Sequence, residues 1–296
     1  MRRRCDGWAG LLLIAGAAAC GTSDARDAAD AAGSGPDGAV ARPDGGGDGG
    51  SGDTLLFASG FEEQDLFPDD GSGWSSLILK TPAGQPEAQF EVRTAPVHGG
   101  EHAAWFSAPP GSAGSSCGKA SILRRDALLF GDDVTITASY RFDSTAVGAT
   151  PQLMDIECEP ADCGFDSSPG VRLVTTRDRH LRIDWKFLNW YGNQTPPQPL
   201  PDDAPPDSPT SASQLPVDEW FDVTVHLVLG KREAGLTEVY VNGELELSIQ
   251  GTNIAPDGME DLSRYSGVEL GITCNPSNSA APVALLVDDV SIRRAR

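Results

Sequence analysis

The chain has 296 residues, with 22 Lys plus Arg against 43 Asp plus Glu and a formal net charge of −21. So acidic a balance repels nucleic acid and other polyanions at long range, and turns the protein towards neutral or cationic partners unless its basic residues are gathered locally. The length suits one all-β sandwich behind an N-terminal tail better than a string of average domains.

Arg2-Arg3-Arg4, the apolar stretch from Trp8 to Ala19 and the run Ala17-Ala18-Ala19-Cys20 have the shape of a bacterial lipoprotein signal peptide with its lipobox. The stretch falls short of the roughly 20 apolar residues of a spanning helix. A plain secretory signal would not require a cysteine after the cut. The sequence therefore predicts a signal peptide over 1–19 and lipidation at Cys20. The chain would then sit at the bacterial cell envelope, facing the periplasm or the cell surface, held to the membrane by its N-terminal lipid alone. Residues 20–52 are dominated by Gly, Asp and Ala and bury too little to offset chain entropy, which predicts a flexible linker. A monomeric folded domain is expected over 53–296.

From Thr54 onward the pattern is strand after strand. Thr54 to Phe61, Ala103 to Ser107, Val134 to Phe142, Gln152 to Glu157, Val171 to Thr175 and Leu181 to Phe187 read as β, as do Phe221 to Leu229, Thr237 to Val241, Glu244 to Ile249, Val268 to Ile272 and Val283 to Ile292. Phe221, Val223, Val225, Leu227 and Leu229 alternate with Asp222, Thr224, His226 and Val228, as a strand with one buried face does. Asn242-Gly243 predicts a tight hairpin, because both residues accept positive φ. The proline-rich segment Gly192 to Val217 lacks alternation and reads as a long surface loop.

Four cysteines follow Cys20: Cys117, Cys158, Cys163 and Cys274. In an exported protein an even number predicts disulfides, in any of three pairings. Cys158 with Cys163 is the favoured local pair, across a turn at Pro160, which leaves Cys117 for Cys274. A four-cysteine zinc site is the competing reading, and its close pair is missing on one side.

Leu55-Leu56-Phe57-Ala58-Ser59-Gly60-Phe61-Glu62, Glu219-Trp220-Phe221-Asp222-Val223-Thr224-Val225 with Gly235 to Gly243, and Leu285-Leu286-Val287-Asp288-Asp289-Val290 resemble the concanavalin-like jelly rolls. The resemblance is closest to their heparin-lyase-like, polysaccharide lyase branch, where Lys119 to Phe142 resembles the strand pair that opens the central sheet. It implies an all-β sandwich whose partner is a polysaccharide, and leaves activity to be argued from a site. In related jelly rolls a structural Ca²⁺ often ties the first and last strands, and Glu62 with Asp288 or Asp289 matches that layout.

Three chemistries compete for the site. A lyase cutting a uronic-acid polymer needs cations for the sugar carboxylate and a base and acid for β-elimination. Arg172, Arg177, Arg179, His180, Arg182, Lys186 and the outward His226 supply candidates, with solvated strand charges as the plain alternative. Where such lyases resemble Gly-Ile-Tyr-Arg, this chain reads Gly271-Ile272-Thr273-Cys274, so Tyr265 or Tyr191 would have to substitute for the tyrosine. A retaining glycoside hydrolase would use the carboxylate row Asp155, Glu157 and Glu159, which resembles the Glu-x-Asp-x-Glu strand of laminarinases in a different order. Polysaccharide binding without cleavage needs only stacking rings and hydrogen-bonding side chains, for which Trp190, Tyr191 and Arg172 are candidates and Trp185 is assigned to the core. Binding is the favoured reading, because each catalytic pattern departs from its family at a defining position.

Overall fold

The computed structural model describes residues 52–63, 65–112, 117–126, 128–158, 170–186, 209–254 and 264–296. Cys20, the linker, Glu159, Cys163, Trp190 and Tyr191 lie outside them. The strands in chain order are β1 (Thr54–Ser59), β2 (Ser76–Lys80), β3 (Gln89–Arg93), β4 (Ala103–Ala108), β5 (Gly118–Arg124), β6 (Leu128–Leu129), β7 (Asp133–Phe142), β8 (Gln152–Glu157) and β9 (Gly170–Thr175). There follow β10 (His180–Trp185), β11 (Thr210–Gln214), β12 (Trp220–Val228), β13 (Leu236–Val241), β14 (Glu244–Gln250), β15 (Arg264–Tyr265), β16 (Gly267–Asn275) and β17 (Val283–Arg294).

Two antiparallel sheets pack face to face. The first runs β14-β13-β12-β7-β17-β4-β3, with β1 also paired to β17, and the second runs β11-β10-β9-β8-β16-β5-β2. Alternation decides which side of each strand faces the other sheet. Phe221, Val223, Val225 and Leu227 of β12 are buried against the core while Asp222, Thr224 and His226 face out. On β16 the inward set is Val268, Leu270 and Ile272, and on β10 it is Leu181, Ile183 and Trp185. Trp185 is therefore a core residue, as the sequence implies. The fully buried Tyr140 spans the sandwich, its hydroxyl donating to the Leu153 carbonyl at 3.3 Å.

β17 changes partner midway. Its first half pairs with β4 and its second half with β1, and the register breaks between Asp288 and Ser291. Asp289 takes a φ of 46° at this break, and the outgoing end of β17 lies beside the incoming end of β1, with Arg294 opposite Thr54.

The hairpin at Asn242-Gly243 is present, with φ of 51° and 80°. Three expectations need correction. Near its end, the supposed loop Gly192 to Val217 holds β11, an edge strand whose polar Thr-Ser-Ala-Ser-Gln shows no alternation because Ser211 is its one buried residue. Lys119 to Phe142 is not one strand pair, since β5 belongs to the second sheet and β7 to the first. The zinc reading fails because Cys117 is bonded to Cys274 and Cys158 is disulfide-bonded as well, leaving no thiolates at these positions to act as ligands.

Candidate functional site

The outward face of the second sheet carries charge where a sheet surface usually carries neutral polar residues. Register places Glu269 of β16 opposite Asp155 of β8, Asp155 opposite Arg172 of β9, and Arg172 opposite Asp184 of β10, so one charged row, three acids and an arginine, crosses four strands. Glu157 sits two residues further along β8, opposite Gly170. Glu269, Asp155 and Glu157 are 1%, 2% and 5% exposed, which would be prohibitive for bare carboxylates.

Each acid has a partner of opposite charge. Lys119 reaches both oxygens of Glu269 at 3.2 Å, and the Ser121 hydroxyl donates to it at 2.5 Å. Arg172 lies 3.3 Å from Asp155, while Lys186 lies 3.4 Å from Asp155 and is in direct contact with Glu157. Burial pushes the Glu269 pKa up, Lys119 opposes the shift, and the neighbouring Asp155 adds to it; the net direction is upward.

Donor atoms of Asp155, Glu157 and Glu269 lie within 4.8 Å of one another, and among the described residues they form the one group close enough to share a metal ion. Oxygen donors of this kind suit a hard cation. The space such an ion would take is bordered by two ammonium groups and a guanidinium, and these carboxylates are not assigned as metal ligands.

Beside the charged row the same face opens into a cleft of about 370 Å³, lined among others by Thr150, Gln152, Arg177, Arg182, Asp184 and Asn278. Gln152 and Arg182 both stand opposite Val174, which floors the cleft between them. Asp184 belongs to both features, since it lines the cleft, ends the charged row and pairs with Arg182 at 2.9 Å. Arg172, Arg182, Lys186, Asp155 and Glu157, assigned from sequence to competing chemistries, are thus brought onto one surface. Glu269, Lys119 and Ser121 join them without having been singled out; a lone acid in the apolar run Val268 to Ile272 is the one signal that marked Glu269.

The two histidine candidates are separated. His180 begins β10 at the β11 edge of the second sheet, whereas His226 faces out from the first, between Asp133 at 2.9 Å and Glu238 at 3.0 Å. Burial of the His226 ring lowers its pKa, but hydrogen bonds and charge from Glu238 and Asp133 outweigh it, and the net shift is upward. Tyr265 is unsuited to replace a catalytic tyrosine: it is 1% exposed and its hydroxyl donates to the Asn253 carbonyl at 2.5 Å. Thr273, at the position of the lyase tyrosine, is fully buried.

Glu62, Asp288 and Asp289 do gather near the β1 and β17 break, but N–H donors engage them. Glu62 accepts from the Glu101 and His102 backbone and pairs with the His102 ring at 2.8 Å. Asp288 accepts from the His98 and Gly99 backbone, and Asp289 pairs with the His98 ring at 2.7 Å. The His102 hydrogen bond chiefly lowers the Glu62 pKa, whereas burial raises that of Asp288. Here the segment between β3 and β4 supplies donors to the carboxylates that a calcium ion would otherwise bridge.

Two stacked antiparallel sheets in this order, with a polar cleft on one outward face, define a concanavalin-like jelly-roll β-sandwich. No protein-family model matches the chain, and no curated protein matches it. Among solved structures it is similar to an endo-β-1,4-glucuronan lyase from the fungus Trichoderma reesei, with a TM-score of 0.56 at 9% identity over 74% of this chain and 90% of that one. It also aligns with the cellulose-induced protein Cip1, at a TM-score of 0.48 and 19% identity over 80% of this chain and 96% of that one. An alginate lyase of polysaccharide lyase family 7 gives a TM-score of 0.45 at 12% identity, over 70% and 82% of the two chains. At these identities the likeness is one of fold.

Proposed function

We propose that this chain is an envelope lipoprotein, anchored through Cys20, whose jelly-roll domain binds a polysaccharide on the outward face of its second sheet. The observation that carries the reading is the cleft itself. It places Arg177 and Arg182 beside amide side chains of Gln152 and Asn278, a set that hydrogen-bonds sugar hydroxyls and offsets carboxylates on a chain that is otherwise strongly acidic. The first similar structure is named for action on glucuronan, and a uronic polymer suits the two arginines.

Binding is favoured over cleavage on geometric grounds. His180 and His226 stand on different sheets and cannot serve one sugar as acid and base. Asp155, Glu157 and Glu269 approach the separation of about 5 Å used by retaining glycosidases, yet they are nearly inaccessible and held by cations.

The test is retention of the full chain on a panel of neutral and uronic polysaccharides, with unsaturated sugar absorbance and reducing ends followed in parallel. Saturable retention without product supports the reading, and Arg182→Ala should weaken it by about tenfold, roughly 1.4 kcal/mol. Unsaturated products would replace it with a lyase, reducing ends alone with a hydrolase, and no retention on any polymer would overturn it.

A further inference from the structure

Lys186 follows directly on β10, and its ammonium crosses β9 to reach Glu157 on β8. The β9 residue opposite Glu157 is Gly170, where a Cβ would run into the Ile156 carbonyl and the Glu157 backbone, so no side chain of β9 stands at this point of the crossing. Both partners are shielded from water, with side chains 14% and 7% exposed. A second carboxylate, Asp155, stands 3.4 Å from the same nitrogen, and a third, Glu269, has its oxygen donor within 4.8 Å of those of the other two. An ordinary ion pair needs one acid, whereas this amine has one in contact, another in proton-transfer range and a third behind it.

We propose that Lys186 and Glu157 condense into an intramolecular isopeptide bond that cross-links β8 to the end of β10. The parts for the step are present. The step begins with a proton passing from Lys186 to Asp155, whose carboxylate stands 3.4 Å from the ammonium, which frees the amine lone pair. Glu269, whose burial favours its protonated form, can supply or receive a proton within the cluster. The Lys186 Nζ attacks the Glu157 Cδ, an Nζ–Cδ bond forms, and one Cδ–O bond breaks. The departing water takes one Glu157 oxygen and two of the three ammonium hydrogens, leaving one hydrogen on the amide; no oxidant, reductant or cofactor is needed. Fixed contact replaces a bimolecular encounter, and effective molarities for well-oriented groups reach about 10⁵–10⁸ M. Asp155 is the catalytic residue of this step, and Arg172 at 3.3 Å holds it in place.

The inference stands apart from polysaccharide binding and is tested without a ligand. The full chain is reduced, alkylated, digested with trypsin and analysed by tandem mass spectrometry. A branched peptide is expected, joining the Glu157 segment to the Lys186 segment, lighter than their sum by one water and uncut after Lys186. Lys186→Arg keeps the positive charge but cannot form the amide, and should give both segments unlinked. Glu269→Gln, its fold checked by circular dichroism, should leave a larger unlinked fraction than the parent. Complete cleavage after Lys186 in the parent chain, with both segments at full mass, would overturn the proposal. A fully linked Glu269→Gln variant would remove Glu269 from the step.

Discussion

Replacing Cys117 and Cys274 together by alanine is expected to cost a third or more of the stability of the sandwich. The bond joins residues 157 positions apart, so its loss releases a long loop in the unfolded chain. The loop-entropy relation gives about 5 kcal/mol for a closure of this length, against about 5–15 kcal/mol for a whole domain. The cross-link ties the entry of β5 to β16, two paired interior strands of the second sheet. Cys274 is 4% exposed, so the truncation also leaves a small void. Urea denaturation followed by tryptophan fluorescence measures the effect; with a slope of about 2.5 kcal/mol/M, the midpoint should fall by about 2 M. Reduction of the parent protein should reproduce most of that fall. A shift below about 0.3 M in both experiments would refute the entropic reasoning and imply that the unfolded chain stays compact around this pair.

Lys119→Met should destabilise the fold by about 3–5 kcal/mol, because it leaves the buried Glu269 without its cation; equal denaturation midpoints would show that Ser121 alone suffices. His226→Asn tests the clamp between Asp133 and Glu238. Since the folded pKa of His226 lies above its ordinary value, its charged form stabilises the fold below the ordinary histidine range, and that contribution fades as pH rises through the raised folded value. The Tm gap between parent and variant should therefore be widest in mild acid and shrink towards alkaline pH, and a gap that grows with pH would contradict the assignment. Cys20→Ala should move the protein from the membrane to the soluble fraction; persistence in the membrane would remove the lipid anchor.

Strands whose two faces differ were legible from sequence. β12 alternates cleanly because one side meets the core and the other water, and the Asn242-Gly243 turn announces itself by conformational preference. Edge strands β2, β3 and β11 were not: β2 and β11 do not alternate, and β3 alternates over only five residues, none of them buried. The site was legible one strand at a time. Asp155 and Glu157 share a face by simple periodicity, but their meeting with Glu269 depends on β16 pairing with β8 across more than a hundred residues of chain, which no local pattern encodes. Lys186 and Glu157 were both candidates, yet their contact spans a strand between them and depends on the order β8-β9-β10 in the sheet. His98 and His102 escaped notice because they lie between strands, in a segment that carries no periodicity.

The pairing of β1 with the far end of β17 has a use for whoever handles this protein. Thr54 and Arg294 are neighbours across a ladder, so a linker of a few residues could join them and the chain could be reopened at the Asn242-Gly243 turn, giving a circular permutant with every strand pairing kept. Because both ends belong to the first sheet and the cleft to the second, a fluorescent reporter or a surface-coupling tag attached after β17 would hang on the side away from the cleft, and an immobilised domain would present that cleft outward to polymer in solution.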